Sequence, residues 1–225
     1  MISIQGLKEE TKVSSKITKN IQQKGGYEFS QLDTTREIEC LRSSQSKKFR
    51  YYLKVPINTQ NKVGKDIIIA IGMNPSSADE KTSDKTVNQL IKHASRKGYS
   101  TLIMLNSLPY YESDSKKLPN VIEAERNNFV EFSKILKRNI EVIGSVIKDT
   151  KNHMLTYDIF LGTGDPVIKE GAESIHEIEK ILDGMDVFST NYNKKNFTSL
   201  GYMFHPSRKN IEKNTTKRGI RSPWK

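Results

Sequence analysis

The fold of this protein is decided by the stretch Ile67-Ile68-Ile69-Ala70-Ile71-Gly72-Met73-Asn74-Pro75-Ser76-Ser77-Ala78-Asp79. An apolar, β-branched run of strand length ends at a glycine and opens into a short polar loop. Such a run is typical of a buried parallel strand. Because ligands of open α/β sheets bind at the carboxyl ends of the strands, this loop is the first candidate for chemistry. The alternative is that Asn-Pro-Ser only turns the chain.

Four other segments have the apolar composition of strands, and helical spacing separates most of them. The additional strands are predicted at 49–56, 101–105, 157–161 and 200–204, and the helices at 84–97, 121–148 and 168–182. This alternation predicts an α/β fold, a three-layer α/β/α sandwich around a central, mainly four-stranded parallel sheet.

Three of the predicted strands end in polar side chains suited to chemistry, namely Asn74, Asn106 and His205. Right-handed crossovers place the carboxyl ends of parallel strands at one edge of the sheet, so these side chains are expected to form one pocket. Each also has a structural alternative. The two asparagines could close turns by bonding their own backbone, and His205 could be a satisfied histidine at a strand end.

The composition divides the chain into three segments and indicates an acidic partner. We expect a polar N-terminal arm or helical extension at 1–47, an α/β domain at 48–211 and a basic C-terminal tail at 212–225. The 37 Lys and Arg residues exceed the 26 acidic residues and give a net charge of +11. Such a surplus favours a nucleic acid or another polyanion as partner, unless it reflects only a Lys/Asn-rich proteome.

Cysteine and histidine usage excludes several classes of site. Cys40 is the single cysteine, which excludes an internal disulfide, a zinc site built from several cysteines and a protein-ligated iron–sulfur cluster. The four histidines show no metal-ligand spacing, so we expect neither metal nor cofactor. No segment approaches the ~20 apolar residues of a membrane span, and no signal peptide is visible. The expectation is a cytoplasmic monomer without membrane contact.

Three short motifs, in order, are similar to those of the uracil-DNA glycosylase superfamily. They are Gly72-Met73-Asn74-Pro75-Ser76, Leu105-Asn106 and His205-Pro206-Ser207. The wider stretch Asn74-Pro75-Ser76-x-Ala78-Asp79, with Asp84-x-Thr86, also resembles an uncharacterised bacterial domain family of similar size. The resemblance covers about residues 50 to 210.

The resemblance implies a role for each matching residue. Asn74 matches the residue that orients the hydrolytic water, and His205 matches the histidine that stabilises charge on the departing base. Asn106 matches the amide that reads the Watson–Crick edge of the flipped pyrimidine. The remaining implied contacts are with the base, through Gly72, Met73 and Ser76, and with DNA, through Ser77, Ser207, Arg208 and Lys209.

The chemistry of base removal is compatible with these residue types. An N-glycosidic bond breaks with an oxocarbenium-like sugar and negative charge on the base, which a donor such as His205 stabilises. Asn74 can position a water only weakly, since an amide is not a general base. Asn106 offers one acceptor and two donors to a pyrimidine edge. The base must be flipped out of the stack before it can be reached.

One departure from the superfamily concerns substrate choice. In the strict uracil enzymes an aromatic residue follows the proline of the first motif and blocks groups on pyrimidine C5, whereas Ser76 and Ser77 stand here. The pocket is therefore expected to be open at C5 and to take a modified pyrimidine, with modified cytosine among the candidates. Such bases are abundant in some phage genomes, which suggests antiviral defence. The aromatic residue that stacks on the base is expected among Tyr110, Tyr111 and Phe49.

The favoured hypothesis is therefore a monofunctional DNA glycosylase that acts on duplex DNA with a flipped base, or on single strands. Seven Lys and Arg residues between His205 and Lys225, against the single acidic residue Glu212, fit a phosphate-binding role. Two alternatives stay open. One is a non-catalytic nucleic-acid-binding protein of the same fold, and the other is an N-glycosyl hydrolase of free nucleosides or nucleotides.

Overall fold

The computed structural model describes residues 10–17, 26–27, 29–44, 48–59, 65–192, 195, 197–206, 211 and 215–220. Four helices lie in these ranges: α1 (Lys85–Lys97), α2 (Leu118–Arg126), α3 (Phe129–Asn152) and α4 (Lys169–Ile181). The eight strands are β1 (Glu10–Lys16), β2 (Glu37–Ser43), β3 (Arg50–Pro56), β4 (Ile67–Gly72), β5 (Thr101–Asn106), β6 (Tyr157–Leu161), β7 (Asp186–Thr190) and β8 (Thr215–Gly219). The protein is therefore a mixed α/β structure.

All eight strands belong to one sheet in the order β1-β2-β3-β5-β4-β6-β7-β8. Four of the neighbouring pairs are antiparallel, and the pairs β4–β5, β4–β6 and β6–β7 are parallel. In the parallel register Gly72 lies opposite Asn106, and Ile71 lies opposite Leu161. The carboxyl ends of β4, β5 and β6 consequently meet at one edge of the sheet.

Strand β4 lies between β5 and β6 inside the sheet, and every one of its residues is buried. Successive side chains of a strand point to opposite faces. Ile67, Ile69 and Ile71 join the apolar cluster that contains residues of α2, α3 and α4. Ile68 and Ala70 join the second cluster, together with the buried face of α1. Helices therefore cover both faces of the sheet, which explains why β4 reads as a continuous apolar run.

Helix α1 begins directly after the polar loop that follows β4. The Asp84 side chain caps it by accepting a hydrogen bond from the backbone N–H of Val87 at 2.8 Å. Gly98 ends the helix with a positive φ of 84°, a left-handed conformation that glycine adopts without steric cost. Both ends match the helix predicted at 84–97.

The strand predicted at 200–204 is wrong. The strand that pairs in parallel with β6 is β7, and Met203 and Phe204 form only isolated bridges, to Phe197 and Thr190. The apolar run at 200–204 misled the prediction because Gly201 has a φ of 87° and Leu200 is 67% exposed. The helix predicted at 121–148 is instead two helices, α2 and α3, which are separated at Asn127 and Asn128.

The segments outside 48–211 contain strands where we expected an arm, a helical extension or a tail. Strands β1 and β2 extend the sheet antiparallel from β3, and β8 pairs with β7. Ile38, Cys40 and Leu41 of β2 are buried in the two apolar clusters. The charged residues Glu37, Glu39 and Arg42 interrupt this short run, so composition alone did not reveal it.

Candidate functional site

A cavity of about 450 Å³ opens at the carboxyl ends of β4 and β5. It brings together the three polar residues that end predicted strands, Asn74, Asn106 and His205. Three residues expected to contact a base also line it, Gly72, Met73 and Ser76. The predicted convergence at one sheet edge is therefore present. His205 lies at this edge although no strand precedes it, because other contacts hold the segment before it in place.

The side-chain amide of Asn74 is held in one orientation by hydrogen bonds to the backbone. Its Nδ2 donates to the backbone carbonyls of Pro75, Tyr110 and Glu112 at 3.0, 3.3 and 2.7 Å. Three carbonyl acceptors require nitrogen at this position, so the orientation of the amide is determined. Oδ1 is then the atom of this amide that can accept a hydrogen bond from a ligand or a water. Asn74 thus closes the turn, as the structural alternative expected, and lines the cavity as well.

Asn106 lies opposite Gly72 in the parallel pair β4–β5. A Cβ atom added to Gly72 would lie 3.0 Å from Nδ2 of Asn106, so a larger residue here would push the amide from its position by a few tenths of an ångström. The backbone around Asn106 is also held, because Nδ2 of the buried Asn139 donates to the carbonyls of Asn106 and Ser107 at 2.9 and 3.2 Å. The Asn106 side chain is therefore presented on a rigid element.

Arg50, at the start of β3, is a site residue that the sequence analysis missed. Its side chain is 1% exposed and lines the cavity. Nη2 donates to Oδ1 of Asn106 at 2.8 Å, and Nη1 donates to the carbonyl of Ala78 at 2.6 Å. Nε has no hydrogen-bond partner in the part of the chain that is described. The guanidinium also lies 6.0 Å from the ring centroid of Tyr111.

His205 is placed at the cavity by contacts from two elements. The backbone N–H of Gly164 donates to the carbonyl of Met203 at 2.8 Å, and the Thr190 hydroxyl donates to the carbonyl of Phe204 at 2.8 Å. A Cβ atom on Gly164 would lie 3.3 Å from Cβ of His205. The glycine-rich turn after β6 therefore allows the histidine segment to approach the end of β4 closely.

Three carboxylates also line the cavity, on Asp84, Glu112 and Asp165. Oδ1 of Asp84 caps α1, and Oε1 of Glu112 accepts from the backbone N–H of Asp114 at 2.8 Å. The Thr198 hydroxyl donates a short hydrogen bond to Asp165. Hydroxyl groups complete the polar lining, on Ser76, Thr86, Ser113, Ser115 and Thr198. The cavity is thus richer in acceptors than the basic composition of the chain suggests.

The aromatic side chain at the cavity is Phe204, which the sequence analysis did not consider for this role. Its ring contacts Tyr192, with the centroids 5.7 Å apart. Of the three aromatic residues expected to stack on the base, Phe49 and Tyr110 are 1% exposed and belong to the core. Burial raises the pKa of Tyr111 above its usual range, and its hydroxyl donates to the carbonyl of Ala78 at 3.3 Å. None of the three lines the cavity in the described chain.

Of the four residues expected to contact DNA, one lies within the described part of the chain. Ser77 is exposed and lies next to the cavity-lining Ser76. Ser207, Arg208 and Lys209 lie outside the described residues. Two exposed lysines flank cavity-lining residues, Lys85 beside Asp84 and Lys116 beside Ser115. Positive charge is therefore present beside the cavity lining, which itself contains the three carboxylates.

Two further findings concern metals and membranes. Within the described ranges, no group of three or more His, Cys, Asp and Glu side chains is arranged to hold a metal ion. None of the helices in those ranges combines the length and the apolar composition needed to cross a membrane.

Comparison with known families places the chain in one of them. A family model described as "Protein of unknown function (DUF1643)" matches residues 50–207, which is more than half of the 225 residues. The chain belongs to the DUF1643 family. The matched range begins at Arg50 and ends after His205, so it contains every described residue that lines the cavity. No curated protein and no solved structure matches this DUF1643 chain.

The description of the DUF1643 family assigns no activity. The resemblance to the uracil-DNA glycosylase superfamily therefore stays a prediction.

Proposed function

We propose that this DUF1643 protein is a monofunctional DNA glycosylase that removes a C5-modified pyrimidine and leaves an abasic site. The observation that carries the proposal is the meeting of Asn74, Asn106 and His205 in one cavity, with the buried charge of Arg50 behind Asn106. Recognition, leaving-group stabilisation and water positioning each require one of these groups. We extend the proposal to the fold, and regard the sheet as uracil-DNA-glycosylase-like.

The proposed reaction is hydrolysis at the anomeric carbon of the sugar. The C1′–N1 bond breaks, and its electron pair stays on the base. The oxygen of a water molecule forms the new bond to C1′. A side chain that acts as general base takes up one proton of that water, and the departing pyrimidine gains a proton. No oxidant, metal or other co-reactant is needed for this balance.

Stabilisation of the departing base is assigned to His205 and to the Arg50–Asn106 pair. Negative charge that develops on the base is stabilised by donors already oriented in a poorly solvated site. Asn106 supplies such a donor through Nδ2, and the guanidinium polarises that amide from behind. His205 lines the cavity from the segment after β7 and is proposed to donate a hydrogen bond to the departing base.

Activation of the water is assigned to Asn74 together with a carboxylate. Oδ1 of Asn74 can orient the water, but it cannot accept the proton. The carboxylates that line the cavity and are proposed to accept this proton are Asp84, Glu112 and Asp165. The same carboxylates repel phosphate, so a base and its sugar can enter while the phosphates of the strand stay outside.

Hydrolysis is favoured over lyase chemistry by the composition of the cavity. A lyase forms a Schiff base between an amine and the sugar carbon. No lysine is among the described residues that line the cavity. This supports a monofunctional enzyme, which releases the base and leaves the strand intact.

Substrate choice follows from Ser76, which lines the cavity where the strict uracil enzymes carry an aromatic ring. The hydroxyls of Ser113 and Ser115 also line the cavity. A polar substituent on C5 can hydrogen-bond to these groups. Phage genomes contain such bases, and we therefore place the activity in antiviral defence.

DNA is proposed to approach over the exposed lysines next to cavity-lining residues, Lys85 and Lys116, and over the basic residues after His205. Contacts of this kind bind phosphates without reading sequence and weaken as salt rises. Flipping then brings one base into the cavity, with Phe204 as the aromatic surface against which it can lie.

The test is to incubate the protein with oligonucleotides that carry plain, uracil or C5-modified pyrimidines, and to detect abasic sites by alkaline cleavage. Abasic sites on C5-modified DNA alone would support the proposal. Asn74→Ala and His205→Ala are expected to abolish them while DNA binding persists. If both variants bind DNA and keep the full biological effect, the protein is a binding protein. If only free nucleosides are hydrolysed, it is a nucleoside hydrolase.

A further inference from the structure

The hydrogen bond between Arg50 and Asn106 restricts which face of the Asn106 amide a ligand can use. A guanidinium has only donors, so the atom of Asn106 that faces Nη2 must be the carbonyl oxygen Oδ1. The contact is 2.8 Å long, and the Asn106 side chain is 2% exposed. The amide therefore cannot turn over without breaking a charge-assisted hydrogen bond inside the protein.

The other end of the amide is the one that lies next to the cavity-lining Gly72. A Cβ atom on Gly72 would be 3.0 Å from Nδ2 of Asn106. Both residues line the cavity, so a base that enters meets Nδ2 and its hydrogens. We propose that Arg50 holds Asn106 as a hydrogen-bond donor, so that the cavity accepts cytosine-type bases and rejects uracil-type bases.

The discrimination arises from the atom at ring position 3. In a cytosine-type base N3 carries a lone pair and accepts a hydrogen bond, whereas in a uracil-type base N3 carries a hydrogen. Because Oδ1 of Asn106 is directed at Arg50, the N3–H of a uracil-type base finds no acceptor on this amide, whereas N3 of a cytosine-type base can accept from Nδ2. A site built around a buried polar group rejects such a mismatch strongly.

Ring position 4 adds a second difference between the two base classes. A cytosine-type base carries an amino group there, and a uracil-type base carries a carbonyl oxygen. Asp84, Glu112 and Asp165 are acceptors that line the cavity. They can pair with the amino group, and they repel a carbonyl oxygen. Arg50 is thus a positioning residue for specificity, which acts through Asn106.

This inference rests on the proposed glycosylase activity and names the base class of its substrate. The test compares two single-stranded oligonucleotides that carry the same C5 substituent, one on cytosine and one on uracil. The substituent is the one on which abasic sites form in the panel above. Single strands are used so that opening a base pair contributes to neither rate.

We expect the wild-type protein to release the cytosine-type base with a kcat/KM at least about tenfold higher than that of its uracil-type partner. Equal release, or a preference for the uracil-type base, would overturn the inference while the glycosylase activity stands. If no base is released from any DNA of the panel, the proposed function itself fails. The comparison uses the natural chain and so does not depend on a variant that folds.

A variant then assigns the preference to Arg50. In Arg50→Met the Asn106 amide is free to turn and to accept from N3–H, so the ratio of the two kcat/KM values is expected to fall about tenfold toward one. Arg50→Lys keeps the charge and is the matched control, with a smaller loss of the ratio. A purely structural role for Arg50 would lower both rates and leave the ratio unchanged, and that result would contradict the assignment.

Discussion

Nη2 of Arg50 donates to Oδ1 of Asn106 at 2.8 Å, in a place where the two side chains are 1% and 2% exposed. The second anchor of the guanidinium is a backbone carbonyl, that of Ala78. A buried cation held by neutral acceptors is costly for folding, because desolvation is incompletely compensated. Its position behind the amide at the end of β5 gives it a use in the site instead.

Replacement of Arg50 is therefore predicted to affect the site more than the stability. In Arg50→Met the desolvated charge is removed, and the Ala78 carbonyl keeps the hydrogen bond from the Tyr111 hydroxyl. We expect the free energy of unfolding, measured by urea denaturation, to stay within about 1 kcal/mol of the natural protein. Base release is expected to change as described above.

Arg42→Met is the matched control for this prediction. Arg42 donates twice to Glu80, at 3.1 and 3.0 Å, and the Glu80 side chain is 3% exposed. Without Arg42 a buried carboxylate is left unpaired, which costs about 3–5 kcal/mol. Equal destabilisation by the two substitutions would contradict the distinction between Arg50 and Arg42.

Asn74→Asp tests whether the first motif functions as an amide. A carboxylate can accept a proton from the water and an amide cannot, so chemistry alone predicts a gain in activity. The structure predicts a loss, because Nδ2 donates to three backbone carbonyls and a carboxylate would be repelled by all three. We expect at least about a tenfold lower rate of base release at pH 7, together with about 2 kcal/mol lower stability.

The pH dependence of the same variant provides its control. A carboxyl group surrounded by carbonyl oxygens is more easily protonated than usual, and once protonated it can donate to one of them. The deficit in stability of Asn74→Asp is therefore expected to shrink as the pH falls from 7 to 5. A variant that is faster than the natural protein at pH 7 would show that Asn74 acts as a water ligand only.

Ser76→Phe tests the opening at pyrimidine C5. The introduced ring would occupy cavity space beside Asn74 and is expected to reduce the kcat/KM for the C5-modified base at least about tenfold. Release of the matching unmodified base is expected to change little. The measurement is the ratio of the two kcat/KM values, with Ser77→Phe on the exposed neighbour as control. An unchanged ratio would remove Ser76 from the specificity site.

Asp33 links pH to stability far from the cavity. Hydrogen bonds from the Thr35 hydroxyl and from Arg36 hold the pKa of Asp33 below its ordinary value. The folded protein therefore gains stability from the ionised form above the unfolded pKa of about 3.9, and loses it as the pH falls through the lower folded value.

Because these contacts are solvent-exposed, we expect Asp33→Asn to lower the free energy of unfolding at pH 7 by less than about 1 kcal/mol. The difference from the natural protein should shrink as the pH falls below about 4. Glu123→Gln, on the exposed face of α2, is the control and is expected to have no measurable effect. Thermal denaturation between pH 7 and pH 3 measures both. A deficit that is constant with pH would mean that the charge of Asp33 is not involved.

The parts of the fold with strong local patterns were predictable from the sequence. The continuous apolar runs of β4, β5 and β6 are long enough to be recognised, and the cap at Asp84 and the glycine at 98 mark the ends of α1. The meeting of Asn74 and Asn106 followed from the parallel order of β4 and β5. His205 reaches the same cavity through contacts of the segment before it, which the sequence does not encode as a strand. Strand β7 was missed because only Val187 and Phe188 interrupt its polar sequence, and the longer apolar run at 200–204 competed with it.

The cavity-lining residues Arg50, Asp165 and Phe204 were not predictable from the sequence. Arg50 is the first residue of β3, a strand of mixed polar and aromatic residues. No local pattern indicates that its side chain is buried against Asn106, 56 positions away along the chain. Asp165 and Phe204 reach the cavity through turns whose geometry depends on glycines and on contacts between distant segments. Such contacts are properties of the folded chain, and a linear reading has no period or spacing that encodes them.

Cleavage of an N-glycosidic bond in DNA is tested most directly by mass spectrometry of the small molecule released from C5-modified DNA. We expect a free modified base, in a one-to-one ratio with abasic sites, and none with His205→Ala. Release of a nucleoside or nucleotide, or no release from any modified DNA to which the protein binds, would contradict it.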